Sequence, residues 1–162
     1  MATDKKIISS SNATAFNKKI AMLARPLVFT NGCFDILHRG HTSYLESARN
    51  VGAALIVGVN SDASVRRQNK GSDRPINKLE DRMALLAALH CVDAVIAFDQ
   101  DTPIKLIETI KPDHLVKGGD WPIESIVGAD FVHQHGGKVH SIPFEFDRST
   151  TQLLGKIRHT LP

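Results

Sequence analysis

Two histidines three residues apart, His38 and His41, follow a short apolar run that ends in Thr30-Asn31-Gly32. If that run is a strand and a helix opens after it, both imidazoles stand at a helix start. Free backbone N–H groups there attract anions, and the two rings could donate to one phosphate. Gly40, between them, lets a bulky phosphate come close to the backbone. The same pair could be metal ligands, although no third ligand sits at a matching spacing nearby, or ordinary surface histidines. Ser149-Thr150-Thr151 precedes another helical stretch, so its hydroxyls and the free N–H groups could hold phosphate oxygens. Ser149 with Gln152 is also a capping box, and both can be true. Lys117-Gly118-Gly119-Asp120 offers a point charge for phosphate and two glycines that permit close approach, or merely make a turn. Arg66, Arg67, Lys70 and Arg74 form a basic stretch with Gly71 and Ser72. It reads either as a solvated charge run or as a mobile loop that closes over a phosphorylated ligand.

These residues need elements to carry them. Short apolar runs at Leu27–Asn31, Ala54–Val59, Ala94–Phe98, His114–Lys117 and Lys138–Ile142 read as strands covered on both faces. Helices are expected at 41–50, 78–89, 103–110 and 150–159, with a further piece near 123–135 and a weak one near 16–23. In the second of these, Leu79, Met83, Leu86 and Ala87 share one face. Asn77 is expected to cap it with Glu80, and Arg82, at the edge of that face, can reach toward the sheet. Alternating strands and helices predict a Rossmann-like, doubly wound α/β fold: one domain with a parallel sheet of about five strands. Residues 1–25 read as a partly helical N-terminal extension and 26–162 as the domain. In such sheets ligands bind beyond the carboxyl ends of the strands, where the His, Lys-Gly-Gly-Asp and Ser-Thr-Thr segments all fall.

Composition narrows the class. The 162 residues are 42% hydrophobic and 23% charged, a globular balance that excludes disordered and fibrous chains. A net charge of +3 is too even for a nucleic-acid surface and leaves room for a small anionic ligand. Two cysteines, Cys33 and Cys91, exclude a disulfide framework. Without a membrane-length apolar run or a secretion signal, no membrane and no nucleic-acid partner is expected, and the compartment is the bacterial cytoplasm.

Gly32-Cys33-Phe34-Asp35 followed by His38-Arg39-Gly40-His41 resembles the cytidylyltransferase-like nucleotidyltransferases, whose hallmark is His-x-Gly-His. The chain is more closely similar to the adenylyltransferases of ADP-heptose biosynthesis, through Lys117-Gly118-Gly119-Asp120 and Ser149-Thr150-Thr151. Val59-Asn60-Ser61-Asp62-Ala63-Ser64, Arg74-Pro75-Ile76-Asn77 and Asp101-Thr102-Pro103 extend the match, which runs from about Leu27 to Arg158. The segment Phe144-Glu145-Phe146-Asp147-Arg148 departs from the Arg-Thr-x-Gly of glycerol-phosphate cytidylyltransferases. That lowers a CTP-dependent reading without removing it. A nucleotide-binding module without catalysis is the third reading.

The resemblance implies AMP transfer from ATP to D-glycero-β-D-manno-heptose 1-phosphate, giving ADP-heptose and pyrophosphate for lipopolysaccharide precursors. It assigns catalysis to His38, His41, Arg82 and Lys117. Nucleotide binding falls to Thr30, Asn31, Gly32, Cys33, Phe34, Gly40, Asn60, Gly118, Gly119, Asp120, Ser149, Thr150 and Thr151. Asp35, Arg66, Arg67 and Lys70 are expected at the sugar phosphate or triphosphate. Family members carry Thr where Cys33 stands, so covalent chemistry there is not expected. Mg²⁺ is expected with the nucleotide, with no protein metal ligands assigned. Relatives are often fused to a sugar kinase, for which 162 residues leave no room, so a separate kinase and a homo-oligomer are the partners implied.

Overall fold

The computed structural model describes residues 3–9, 12–68, 73–146 and 148–160. Six short strands form one parallel sheet: β1 (Ile7–Ile8), β2 (Leu27–Gly32), β3 (Ala54–Asn60), β4 (Ala94–Phe98), β5 (His114–Gly118) and β6 (Lys138–Ile142). Their order is β1-β4-β3-β2-β5-β6, with every pairing parallel. The chain steps outward from β2 to β3 and β4, then returns to the other side of β2 with β5. Helices diverge at the carboxyl ends of β2 and β5, which makes the crevice where such sheets bind ligands.

The helices are α1 (Ala13–Ala21), α2 (Arg39–Arg49), α3 (Asp62–Arg67), α4 (Leu79–Ala88), α5 (Ile104–Ile110), α6 (Ala129–Gln134) and α7 (Thr150–Thr160). Alternating side chains of the strands feed two cores. Leu27, Phe29, Ile56, Ile96 and Leu115 pack under α1, α5 and α6, through Phe16, Ile20, Ile107 and Val132. Val28, Leu55, Val57, Val95 and Val116 pack under α2 and α4, through Tyr44, Leu45, Met83 and Leu86. The N-terminal residues join the sheet: β1 pairs with β4, and Phe16 and Ile20 of α1 are buried.

Three local expectations are corrected. The stretch near 123–135 is divided into a 3₁₀ turn at Ile123–Ser125 and α6, because Gly128 takes a left-handed φ of 92°. Asn77 does not cap α4: Lys78 holds the cap position without a side-chain bond, while the Asn77 amide donates to the Asp35 carbonyl at 2.6 Å. The basic stretch is not a run of unpinned cations. Arg66 and Arg67 end α3, which Val65 anchors in the interior. Arg67 pairs with Asp101 at 2.7 Å, and Arg74 is buried against Asp35. Lys70, Gly71 and Ser72 lie outside the described residues.

Candidate active site

At the carboxyl end of β2 the chain turns through Phe34, whose φ of 48° is left-handed. A bulky residue there costs of order 1–3 kcal/mol and persists where surrounding structure holds it. Phe34 is buried and sets its ring edge against His41, centroids 5.2 Å apart. His41 in turn stacks on His38 at 3.8 Å with 20° between the planes. Gly40 keeps that stack possible, because a Cβ there would lie 3.1 Å from Nδ1 of His38. Both Nδ1 atoms are buried without a hydrogen-bond partner. Burial lowers the pKa of His38. Burial, followed by the neighbouring His38, pushes His41 down to about 4, with the Ile36 carbonyl opposing. Both rings are held toward the neutral form, and an anion beside them would favour their protonated forms.

The rings open on a cavity of about 430 Å³ bounded also by Cys33, Asp35, Arg74, Phe144, Arg148 and Ser149–Thr151. Its far wall is the start of α7, where the expected capping box is present: the Ser149 N–H donates to Gln152 Oε1 and the Gln152 N–H to Ser149 Oγ, each at 3.1 Å. Thr150 is largely buried and donates to the Ile36 carbonyl at 3.4 Å, tying α7 to the β2–α2 turn. Phe144 rests against Gly118, where a Cβ would meet its ring at 2.8 Å, and against Tyr44.

A second cavity of about 290 Å³ lies across the sheet edge, beside α5 and α6, and Cys33 lines both. Asn31, Gly32, Asn60 and Lys117 form its inner part; Gln68, Asp101, Trp121 and Val127 are among its walls. Strand alternation explains the division. Asn31 and Lys117 point to the same face as core residues Phe29 and Leu115, whereas Thr30 points to the other.

Other expected residues serve as struts. Thr30 is fully buried and hydrogen-bonds Tyr44, whose hydroxyl donates to the Val116 carbonyl at 3.2 Å. Burial raises the Tyr44 pKa, which keeps that hydroxyl a donor. Asp35 accepts from the Ile76 and Asn77 N–H groups at 2.8 and 2.9 Å and from Arg74. Arg82 has no exposed surface. Its guanidinium donates to the carbonyls of Asn77, Cys33 and Asn60 and to the Asp62 carboxylate, at 3.1, 2.6, 2.8 and 2.8 Å. It therefore ties the ends of β2 and β3 to α3 and the α4 approach. Gly119 takes a φ of 112° and donates its N–H to the Ile142 carbonyl, while Asp120 is exposed. Arg66 is exposed on α3.

The second cavity is what sequence reasoning missed. Asp101 stood in the Asp101-Thr102-Pro103 motif without a role, and Gln68 and Trp121 gave no signal, because loops separated by tens of residues meet only through the sheet order. Among the described residues no group of three His, Cys, Asp or Glu side chains could hold a metal ion. No helix there is long and apolar enough to cross a membrane.

A family model described as cytidylyltransferase-like matches residues 29–141, which include the whole lining of the second cavity and the Cys33–Arg74 part of the first. The chain belongs to the cytidylyltransferase-like family. This cytidylyltransferase-like chain is 60% identical over 136 residues to a D-beta-D-heptose 1-phosphate adenylyltransferase of Bordetella bronchiseptica, covering 84% of each. It is 56% identical to the bifunctional protein HldE of Alcanivorax borkumensis, over 82% of this chain but 28% of that one. Among solved structures it is similar to a lipopolysaccharide core biosynthesis protein from Thermoplasma volcanium, with a TM-score of 0.60, 30% identity, and coverage of 75% and 98% of the two chains. A pantoate-beta-alanine ligase from Francisella tularensis, 17% identical with a TM-score of 0.59 over 90% of this chain and 69% of that one, shares the fold.

Proposed function

We propose that the protein is an adenylyltransferase that moves AMP from ATP to D-glycero-β-D-manno-heptose 1-phosphate, releasing pyrophosphate and forming ADP-heptose. The observation that carries the reading is the pair of cavities meeting at Cys33, one of them lined by the stacked His38 and His41. The relative of 60% identity bears the name of this activity.

The triphosphate takes the larger of the two cavities. Its oxygens meet His38 and His41 on one side and the N–H groups and hydroxyls at the start of α7 on the other. Arg148 adds positive charge at the same wall, whereas the charge of Arg74 is paired with Asp35. Phe144 gives the base an apolar edge. The acceptor phosphate enters from the opposite side of the sheet edge, near Lys117. That arrangement suits in-line displacement, in which the nucleophile approaches the α-phosphorus opposite the leaving pyrophosphate.

The sugar phosphate oxygen is already anionic at pH 7, since a phosphomonoester has a second pKa near 6, so no general base is required. It forms a bond to the α-phosphorus as the bond to the bridging oxygen breaks, and pyrophosphate carries away the electron pair. The protein's contribution is alignment and donors aimed at the developing charge. Mg²⁺ would accompany the nucleotide and would supply neutralising charge at its phosphates. The acceptor must come from a kinase acting on the anomeric hydroxyl. Pyrophosphate release across four nucleoside triphosphates and several sugar 1-phosphates is the test. ATP with the heptose 1-phosphate should be fastest, and equal or better turnover with CTP would refute the base assignment.

A further inference from the structure

Given that the smaller cavity takes the acceptor, its outer half has a chemistry that phosphate recognition does not explain. Trp121 stands there about half exposed, with its polar edge already satisfied. Its backbone N–H donates to Ser141 Oγ at 2.9 Å, and its indole N–H donates to the Gly118 carbonyl at 3.1 Å. Ser141 Oγ donates onward to the Gly119 carbonyl at 2.7 Å. The left-handed Gly119 makes this possible, because a Cβ there would lie 2.7 Å from the indole nitrogen. The ring is thus held in one orientation, offering an apolar face at the cavity wall.

Across the cavity stands a carboxylate. Asp101 is fixed by the Arg67 Nε–H at 2.7 Å, and the neighbouring Asp99 also lies by Arg67 at 3.7 Å. An ionised carboxylate accepts only, with about four lone-pair sites, of which Arg67 takes one. It repels phosphate and attracts hydroxyl donors. Gln68 adds an amide beside it, with Oε1 accepting from the Cys33 thiol at 3.2 Å. An apolar plate opposite a braced acceptor fits a polyol ring, which has C–H faces and donating hydroxyls.

The sheet order gives the bound sugar a direction. Lys117 is next to last in β5, whereas Asp101 follows β4, and β3 and β2 lie between. At roughly 4.8 Å per strand the two ends are about 14 Å apart along the sheet. With the 1-phosphate at the Lys117 end, the opposite end of the sugar reaches Asp101. We propose that Trp121 and the Arg67-braced Asp101 determine acceptor specificity, Trp121 stacking on the sugar ring and Asp101 accepting from the exocyclic hydroxyls that distinguish a heptose from a hexose. This rests on the acceptor assignment above.

The test separates the two. Trp121 is the sole tryptophan, so its fluorescence reports occupancy without turnover. Heptose 1-phosphate alone should change that emission, and MgATP alone should change it far less. Asp101→Asn should raise the KM for heptose 1-phosphate about 10–100-fold, the range of a hydrogen bond to a charged group, with the KM for ATP unchanged. It should also erase the preference for heptose 1-phosphate over mannose 1-phosphate. Asp99→Asn, which touches Arg67 but not the cavity, should leave both unchanged. Trp121→Phe should retain acceptor affinity better than Trp121→Leu. Wild-type activity with an unchanged acceptor KM in both Asp101→Asn and Trp121→Leu would overturn the proposal and leave the acceptor reading standing. An emission change with MgATP but none with the sugar phosphate, even with a non-reactive MgATP analogue already bound, would overturn the acceptor reading itself.

Discussion

His38 and His41 carry the heaviest chemical demand for their size. Their stacked, half-buried rings line the first cavity, with Nδ1 of each buried and without a partner. His38→Ala and His41→Ala should each lower turnover by roughly 10²–10³, the loss on removing one preorganised donor, with ATP affinity falling less. Steady-state kinetics with a nucleotide titration separate the two effects. The depressed His41 pKa also has a stability consequence with a definite sign. Above the ordinary value of 6.5 the ring is neutral both folded and unfolded. As pH falls from 6.5 toward about 4, the unfolded chain takes up a proton that the folded one refuses, so stability is lost through that window. Melting temperatures between pH 7 and 4 should fall less steeply for His41→Gln than for the wild type. The histidines were legible from spacing alone; their stacking was not, because it depends on the strained Phe34 and on Gly40 beneath the ring.

Elements hold these rings through buried polar struts rather than through propensity. The Asp35 carboxyl has no exposed surface, yet it receives two backbone N–H groups and Arg74, which fastens the 74–77 segment onto the β2–α2 turn. Asp35→Ala leaves Arg74 buried beside an unpaired position and should cost about 3–5 kcal/mol, read from denaturant midpoints. Arg82→Lys keeps the charge but loses the planar fork that spans three carbonyls and Asp62, and one ammonium cannot reach them all. It should lower the midpoint and turnover together, although Arg82 is shielded behind the cavity walls. These struts explain where the sequence reading diverged. Asn77 looks like a helix cap, but Asp35 offers its N–H and amide better partners. Arg67 looks like a free cation until the chain 34 residues later delivers Asp101 to it. The five longer strands were readable within a residue at each end because burial on both faces leaves a continuous apolar run. β1, with two residues, and α3, with six, are too short to show a period.

At the scale of the whole molecule, the sheet edge separates the reactants and brings together what they share. Each cavity draws walls from both sides of the β2–β5 crevice: Arg74 with Phe144 in one, Asn60 with Lys117 in the other. A ligand in either cavity therefore adds a bridge between parts of the chain on the two sides of the paired β2 and β5. Binding to the native state alone adds about 2.7 kcal/mol at a concentration of 100 Kd. For a chain of this size, that raises the melting temperature by about 5–11 °C. A non-reactive ATP analogue with Mg²⁺ and heptose 1-phosphate should each give such a shift separately, because the cavities lie on opposite faces and share little more than Cys33. Expressed as free energies, the two effects should add when both ligands are present, apart from a coupling set by the close approach of two phosphate groups at Cys33. Raising salt should shrink that coupling, since it screens like charges. Thermal melts with each ligand, both together and neither, at two ionic strengths, measure every quantity required. If the sugar phosphate gave no shift without nucleotide, the second cavity would be formed by ATP rather than waiting for the acceptor, and binding would be ordered.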